Sequence, residues 1–359
     1  MASITKGIFI VAAKRTPFGA FGGKLYGKTT VDLAEVAAKA ALTAGKVDPK
    51  MVDSVVVGNV FSSTSQDGPF ISRHLLLRCC VPLDRPALNV NRMCGSGFQA
   101  IVNGAHDMVG DSKVVLTAGS ECMSGAPFYM RNIRFGTRLG VDYKVEDPLL
   151  SAGFDLYCNT NMGGTAENLA EKYGISRQDA DEYSFRSQQR WKSANDQGFF
   201  EKEMAPVMIK VKGGEETAMV MDEHPRPSTT LEAMSKLPAV FKKNGTVTAG
   251  TASGVNDGAG AVIIASEAAL TEYKLTPLAR LVGYGIAGVE PHIMGIGPVP
   301  AIQKLLKICG KSLADMDLVE INEAFAPQTL ACQKELGIDP AKLNVNGGAV
   351  AVGHPVGAS

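Results

Sequence analysis

The stretch Leu88-Asn89-Val90-Asn91-Arg92-Met93-Cys94-Gly95-Ser96-Gly97-Phe98-Gln99-Ala100 decides how the rest of the chain is read. Its first four residues alternate apolar and polar side chains, the period of a strand with one face toward a core. From Phe98 onward Ile101, Val102, Ala105, Met108 and Val109 recur at helical spacing, so a helix opens within the same stretch. Cys94 therefore falls at a strand-to-helix turn, followed by glycines that let other atoms approach the backbone. Unpaired N–H groups and the positive end of the helix dipole favour a thiolate there. The expectation is a reactive cysteine with a depressed pKa. A second reading, a small buried hydrophobe, describes most free cysteines and stays open on residue type alone.

The same residues spell G-x-G-x-x-A from Gly95 to Ala100, with Glu121 about twenty residues further on at the end of another strand, as in a dinucleotide site. The match is short and lies deep in the domain. The first strand-helix turn, residues 12–19, lacks it. An NAD-dependent oxidoreductase is thus the weaker functional reading.

Around this stretch strands and helices alternate. A first strand over residues 7–13 leads to a helix over 31–42, ended by Gly45. A strand over 53–60, a helix over 70–77 and a strand over 114–119 follow. Such alternation predicts an α/β fold with a mostly parallel sheet covered by helices on both faces. From about residue 124 to 244 strands become rare, helices are expected over 165–173 and 177–196, and residues 222–230 form an extended polar loop with two prolines. This segment reads as an insertion. The α/β pattern resumes at Gly245, with a strand over 261–265.

Composition sets bounds on function. The 359 residues are 45% hydrophobic and 20% charged, with 36 basic against 36 acidic side chains, so no nucleic-acid footprint is visible. No apolar run reaches the roughly 18 residues of a membrane span. The seven cysteines include no C-x-x-C, which fits a reducing compartment and offers no zinc spacing. Lys6, Lys14, Arg15, Lys24 and Lys28 precede the first acidic residue, Asp32, a composition that resembles mitochondrial targeting.

After residue 276 the first half is written again. Residues 279–284 stand for the first strand, 300–307 for the first helix, and 316–323 for the strand over 51–59, with Asn322 opposite Asn59. Leu343-Asn344-Val345-Asn346 repeats Leu88-Asn89-Val90-Asn91 letter for letter. Two related halves whose sheets pack about a pseudo-twofold axis would bring equivalent loops together. Cys94 would then meet His354, about 260 positions away. A histidine in a glycine-rich turn has no apolar face to fill, whereas His74 and His106, on predicted helices, suit packing or surface roles.

The motifs at residues 91–97, 249–257, 322–326 and 353–359 resemble those of the thiolase family, and the likeness runs from residue 7 to 359. The resemblance implies the five-layered α-β-α-β-α thiolase fold. Its two related βαβαβ-type halves would be 1–275, with a loop domain inserted at about 124–244, and 276–359, which would be incomplete. It implies an acyltransferase that cleaves 3-ketoacyl-CoA with coenzyme A, giving acetyl-CoA and a shortened acyl-CoA through an acyl-cysteine, as in fatty acid β-oxidation. Coenzyme A would be co-substrate, with no cofactor or metal, in a homodimer or homotetramer of the mitochondrial matrix. By the family pattern Cys94 is acylated and His354 deprotonates it. His354 would then share an oxyanion site with a water held by Asn322. Arg226 and Thr229 resemble residues contacting coenzyme A, and Ser253 resembles one beside the pantetheine arm. A solvated surface charge is the other reading of Arg226. Asn161-Met162-Gly163 stands where acetoacetyl-specific members carry His-Met-Gly, which favours the degradative, longer-chain branch. Family members continue beyond the position of Ser359 into a Cys-x-Gly-Gly-Gly loop that supplies a second acid/base cysteine. The expectation is therefore a fragment or truncated product, poorly soluble and slow, with an inactive CoA-binding protein as the alternative.

Overall fold

Ile8–Arg15 (β1) opens a mixed sheet that Gly19–Ala20 (β2), Ser54–Gly58 (β3), Ala87–Val90 (β4), Val114–Cys122 (β5), Asn256–Ser266 (β6) and Ala279–Arg280 (β7) complete. The computed structural model describes Thr5 and residues 7–211 and 213–359, so Lys6 of the targeting composition lies outside the described residues. The order across the sheet is β7-β1-β6-β5-β3-β4, with β2 beside the start of β6. β3 runs parallel to β4 and β5, but β6 is antiparallel to β1 and β5, so the sheet is less parallel than the alternation suggests. The cause is the insertion. It returns the chain to the end where β5 stops, so Asp257 pairs with Cys122 and β6 runs back until Ala265 meets Val114. No βα crossover separates the two strands, and an antiparallel pair needs none.

Side-chain alternation along the strands sorts the helices between the two faces. Val55 and Val57 of β3 and Leu116 and Ala118 of β5 join the core beneath Thr30–Gly45 (α1) and Ile71–Arg78 (α2). Val56, Val115 and Ile264 point the other way, onto Ala100 and Ala105 of Ser96–Asp107 (α3). α1 starts in a capping box: Thr29 Oγ1 accepts from Asp32 N–H at 3.1 Å, and Asp32 Oδ2 accepts from Thr29 N–H at 2.9 Å. Its end lies one residue beyond the expected Gly45, at Lys46 in the left-handed conformation (φ 53°), whose N–H reaches the Leu42 and Thr43 carbonyls. Gly45 is instead needed where the helix end crosses β1, because a Cβ there would stand 3.0 Å from Ala12 Cβ.

In the insertion, Met162–Tyr173 (α4) and Arg177–Asp196 (α5) form close to the expected positions. Asn161 caps α4, its Oδ1 accepting from Gly164 N–H at 2.7 Å. The polar loop is anchored at Asp222, which accepts from Arg15 Nη1 at 2.7 Å, Arg15 Nη2 at 3.0 Å and Phe18 N–H at 2.8 Å.

The second half departs from its expected form. Residues 279–280 do not begin a sheet of their own; they extend the first sheet at its edge, where Ala279 pairs with Ile10 and Arg280 with Phe9. The strand expected over 316–323 is reduced to one parallel bridge, Val319 to Leu343. β3 is held between two neighbours, whereas among the described residues this segment pairs on one side only, so its ladder is short. The register nevertheless carries the repeat: Val56 pairs with Leu88 in the first half as Val319 pairs with Leu343 in the second. Pro298–Cys309 (α6) occupies the place foreseen for the first helix's counterpart, and Ala326–Leu336 (α7), not foreseen, parallels α2. Instead of a packed second sheet, Ile321, Ala331, Cys332, Ile338 and Leu343 share a core with Leu169 and Ala170 of α4 and Tyr183 of α5.

Candidate active site

Cys94 sits in a tight turn between β4 and α3. Gly95 N–H donates to the Arg92 carbonyl and Ser96 N–H to the Met93 carbonyl, each at 3.0 Å. The Ser96 hydroxyl closes the turn, donating to Met93 O at 2.7 Å and accepting from Arg92 N–H at 2.9 Å. Met93 adopts φ 48°, a left-handed backbone uncommon outside glycine, of the kind that concentrates at functional sites. This knot fixes the residue before Cys94 and projects the thiol from the helix N-terminus.

The second motif, residues 353–359, lies against that terminus. Gly97 N–H donates to the Ser359 carbonyl at 3.0 Å, and a Cβ on Gly97 would stand 2.5 Å from that oxygen. The buried His354 ring hangs from the same loop. Its Nδ1 pairs with Ser359 Oγ at 2.8 Å and its Nε2 with Asn322 Nδ2 at 3.4 Å. An amide nitrogen only donates, so Nε2 accepts and the ring proton resides on Nδ1. The helix that follows Cys94, His354 and Asn322 are thus joined by one chain of hydrogen bonds although they come from different halves.

A third loop backs the histidine. His354 N–H donates to the Gly254 carbonyl at 3.1 Å and approaches Asn256 Oδ1 at 3.3 Å, while Asn256 Nδ2 donates to Gly19 O at 2.7 Å. Ser253, half-buried on this loop, donates its N–H to the Ala324 carbonyl at 2.9 Å. Next to Asn322, the fully buried Glu323 accepts from Tyr183 Oη at 2.7 Å, Ser187 Oγ at 2.8 Å, Asn344 Nδ2 at 2.9 Å and Val350 N–H at 3.1 Å. That network holds Asn322 and the short helix before His354 in one block.

Electrostatics overturn the expected thiolate. Burial, the largest influence, pushes the Cys94 thiol up to about 11, with the negative charge of Glu121 adding to it. Burial also pushes His354 down to about 4. At neutral pH Cys94 is a thiol and His354 a neutral imidazole. The helix terminus is outweighed by the desolvation of the half-buried sulfur.

The dinucleotide reading is also overturned. Gly97, the second glycine of its pattern, faces a protein carbonyl where a pyrophosphate would lie. Glu121 is fully buried with both oxygens taken by protein donors, so it presents nothing to a ribose.

The thiolase N-terminal domain family matches residues 8–268, and the thiolase C-terminal domain family matches 275–359. The chain belongs to the thiolase family. It is 59% identical to the mitochondrial 3-ketoacyl-CoA thiolase of Bos taurus over 99% of this chain and 90% of the relative. It is 43% identical to an acetyl-CoA acetyltransferase of Cupriavidus necator over 98% of this chain and 89% of that one. The crystal structure of human mitochondrial 3-ketoacyl-CoA thiolase superposes with a TM-score of 0.97 at 58% identity, covering 100% of this chain and 90% of the other. The human enzyme in complex with CoA superposes at 0.96 with 57% identity, covering 99% and 89%. The thiolase fold expected from the motifs is therefore present.

Of the anticipated coenzyme A residues of this thiolase, Arg226 and Thr229 lie on the polar loop and Ser253 on the loop behind His354. Arg226 is exposed, and its Nη1 donates to the carbonyls of Glu223 at 3.1 Å, His224 at 2.7 Å and Pro225 at 3.2 Å. Thr229 N–H closes a turn onto the Arg226 carbonyl at 3.0 Å. His224 packs on Gly254, which ties this loop to the one behind His354. Sequence reasoning passed over Ser96, Asn256 and Glu323 as positioning groups. For Glu323 the signal was present: a carboxylate between Ile321 and a run of small apolar residues is buried and must be bonded.

Proposed function

We propose that this chain is an acetyl-CoA C-acyltransferase that cleaves 3-ketoacyl-CoA with coenzyme A, giving acetyl-CoA and an acyl-CoA two carbons shorter. The observation that carries this reading is the His354 ring, oriented by Asn322 and Ser359 on a loop bonded to the first turn of the Cys94 helix.

In this reading the His354 Nε2 lone pair gives up its long 3.4 Å contact with Asn322 Nδ2 and takes the Cys94 proton as the sulfur attacks the 3-keto carbon. With the thiol near 11 and the imidazole near 4, the transfer is uphill in the resting enzyme and is drawn forward by bond formation to carbon. The protonated Nε2 then donates to the new oxyanion together with a water held by Asn322. The C2–C3 bond breaks, its electron pair leaves on acetyl-CoA, and that carbanion takes up the proton His354 had removed from Cys94. Coenzyme A then gives its thiol proton to His354 and displaces the acyl group, and the departing Cys94 thiolate takes that proton back. Each step places charge on oxygen, where one preoriented donor typically contributes about 100- to 1,000-fold in rate.

Arg226 and Thr229 are assigned to coenzyme A contacts and Ser253 to its pantetheine arm; the first two share a loop that reaches the loop behind His354 through His224 and Gly254. The halves are taken as 1–275, with the insertion at about 124–244, and 276–359, a division favoured by the paired registers of β3–β4 and Val319–Leu343. A homodimer or homotetramer is favoured by the exposed Phe128, Phe135, Leu139, Leu156 and Tyr157 on the insertion. The named mitochondrial relatives favour the mitochondrion, and a β-oxidation role favours its matrix.

The test is Cys94→Ser assayed with a 3-ketoacyl-CoA and coenzyme A, alongside calorimetric binding of coenzyme A. Thiolysis should vanish while binding persists. Near-parent turnover by the serine variant would sink the assignment.

A further inference from the structure

Glu121 does work that the reaction scheme leaves unassigned. All nine residues of β5 are buried, and Glu121, the last but one, is fully so. Its Oε1 accepts from Asn59 Nδ2 at 2.9 Å and Phe61 N–H at 3.1 Å; its Oε2 accepts from Val60 N–H and Gly357 N–H, each at 3.0 Å. Burial pushes the Glu121 carboxyl up to about 7 while its four donors pull it back, and two donors on each oxygen suit the carboxylate and not a carboxamide or the protonated acid. Three of the donors lie on the turn after β3. The fourth lies three residues beyond His354. Gly357 reaches the carboxylate because it has no side chain: a Cβ there would stand 2.7 Å from Glu121 Oε2 and 2.9 Å from the Ser120 carbonyl. Besides the bond of His354 N–H to Gly254, the loop is therefore fastened beyond the histidine at two points, by Glu121 at the end of β5 and by Gly97 at the start of the Cys94 helix.

We propose that Glu121 is a positioning residue: its carboxylate clips the His354 loop to the central sheet and so sets the approach of the imidazole to the Cys94 thiol. The proposal rests on the reading of Cys94 and His354 as nucleophile and base. Bonds from N–H groups to a buried carboxylate are the strong, directional kind. They hold a loop that ordinary turn bonds would leave free to shift. A displacement of about 1 Å at a catalytic base is enough to cost roughly 100-fold in turnover. The clip also places a negative charge beside the nucleophile, the second influence that raises the Cys94 thiol.

The experiment compares the parent chain with Glu121→Gln, Gly357→Ala and the double variant. Glutamine keeps the shape but turns an N–H pair toward two of the four donors, so the loop is released. We expect Glu121→Gln to lower kcat about 30-fold or more with KM for coenzyme A within about twofold. Alkylation of Cys94 by iodoacetamide should move its pH midpoint acidward by about half a unit or more, because the neighbouring charge is gone. Hydrogen exchange over residues 353–359 should quicken while that of β5 stays protected. Gly357→Ala keeps the carboxylate but forces the loop away. It should lower kcat comparably, and the double variant should be no slower than the worse single one. A kcat for Glu121→Gln within threefold of the parent, or losses that multiply in the double variant, would overturn the clip. If Glu121→Gln does not fold, unchanged turnover by Gly357→Ala overturns it. If the parent itself shows no thiolysis, the functional reading fails separately. The clip is then judged by alkylation and exchange, and it is refuted if neither moves.

Discussion

The most direct prediction concerns how slowly Cys94 reacts when no substrate is present. With its thiol held near 11, about one molecule in 10,000 carries a thiolate at pH 7, against about three in 100 for an ordinary cysteine near 8.5. The thiolate is the alkylated species, so iodoacetamide should label Cys94 roughly 300-fold more slowly than a free thiol. No imidazolium is available to offset this, because His354 titrates near 4. The assay is timed alkylation from pH 6 to pH 11, quenched and read by peptide mapping, with the exposed Cys80 as internal comparison. The Cys94 rate should climb about tenfold per pH unit and show no plateau below about pH 10. A plateau beginning below pH 8, or a rate flat from pH 5 upward as for a thiolate–imidazolium pair, would refute the burial argument.

Asn322→Ala should lower kcat about 100- to 1,000-fold with little change in KM, measured by steady-state thiolysis. Asp222→Ala strips the half-buried Arg15 of its two-pronged partner and Phe18 N–H of its acceptor. It should cost about 3 kcal/mol, read as a fall in the urea midpoint at constant slope. His354 prefers the neutral form in the fold, so its folded pKa of about 4 lies below the ordinary value. The stability it confers is complete above about pH 6.5 and is lost as pH falls toward 4, by about 3 kcal/mol in total. His354→Asn should lack that part of the acid slope in urea titrations at each pH; an identical slope in both chains would count against a buried neutral ring. Arg226→Ala should raise KM for coenzyme A about tenfold while kcat stays near the parent value, and equal KM values would return Arg226 to a solvated surface charge.

What could be read in the chain was whatever short-range periodicity encodes. α1, α3 and α5 have apolar faces at helical spacing, and β3 and β5 are apolar runs between turn residues, so all five appear near their expected bounds. The path of β6 was not legible, because its direction depends on where a long insertion hands the chain back. β7 was misassigned for a similar reason: an extended pair of residues does not say which sheet edge will take it. The motifs located the candidate site, since Cys94, Asn322 and His354 sit in turns whose glycines and asparagines stand out in one dimension. The state of the thiol was hidden. Helix position argues for a thiolate, and the burial that packing gives the sulfur, with the charge of Glu121 from another strand, reverses it. α7 carried a signal that was missed, a proline just inside its start and Gly337 in the left-handed conformation at its end.

The bond from Gly97 to Ser359 also bears on time. It spans 262 positions (359 less 97), so it forms only after the segment around residue 359 has been made. Until then the Cys94 turn and its helix exist without the 353–359 loop that bonds to them. The surroundings of Cys94 are completed when the second half docks. Contacts of such span are late events in folding. The assembled site is thus a marker that the second half has docked, and protection of Cys94 in a pulse of alkylating agent would time that docking.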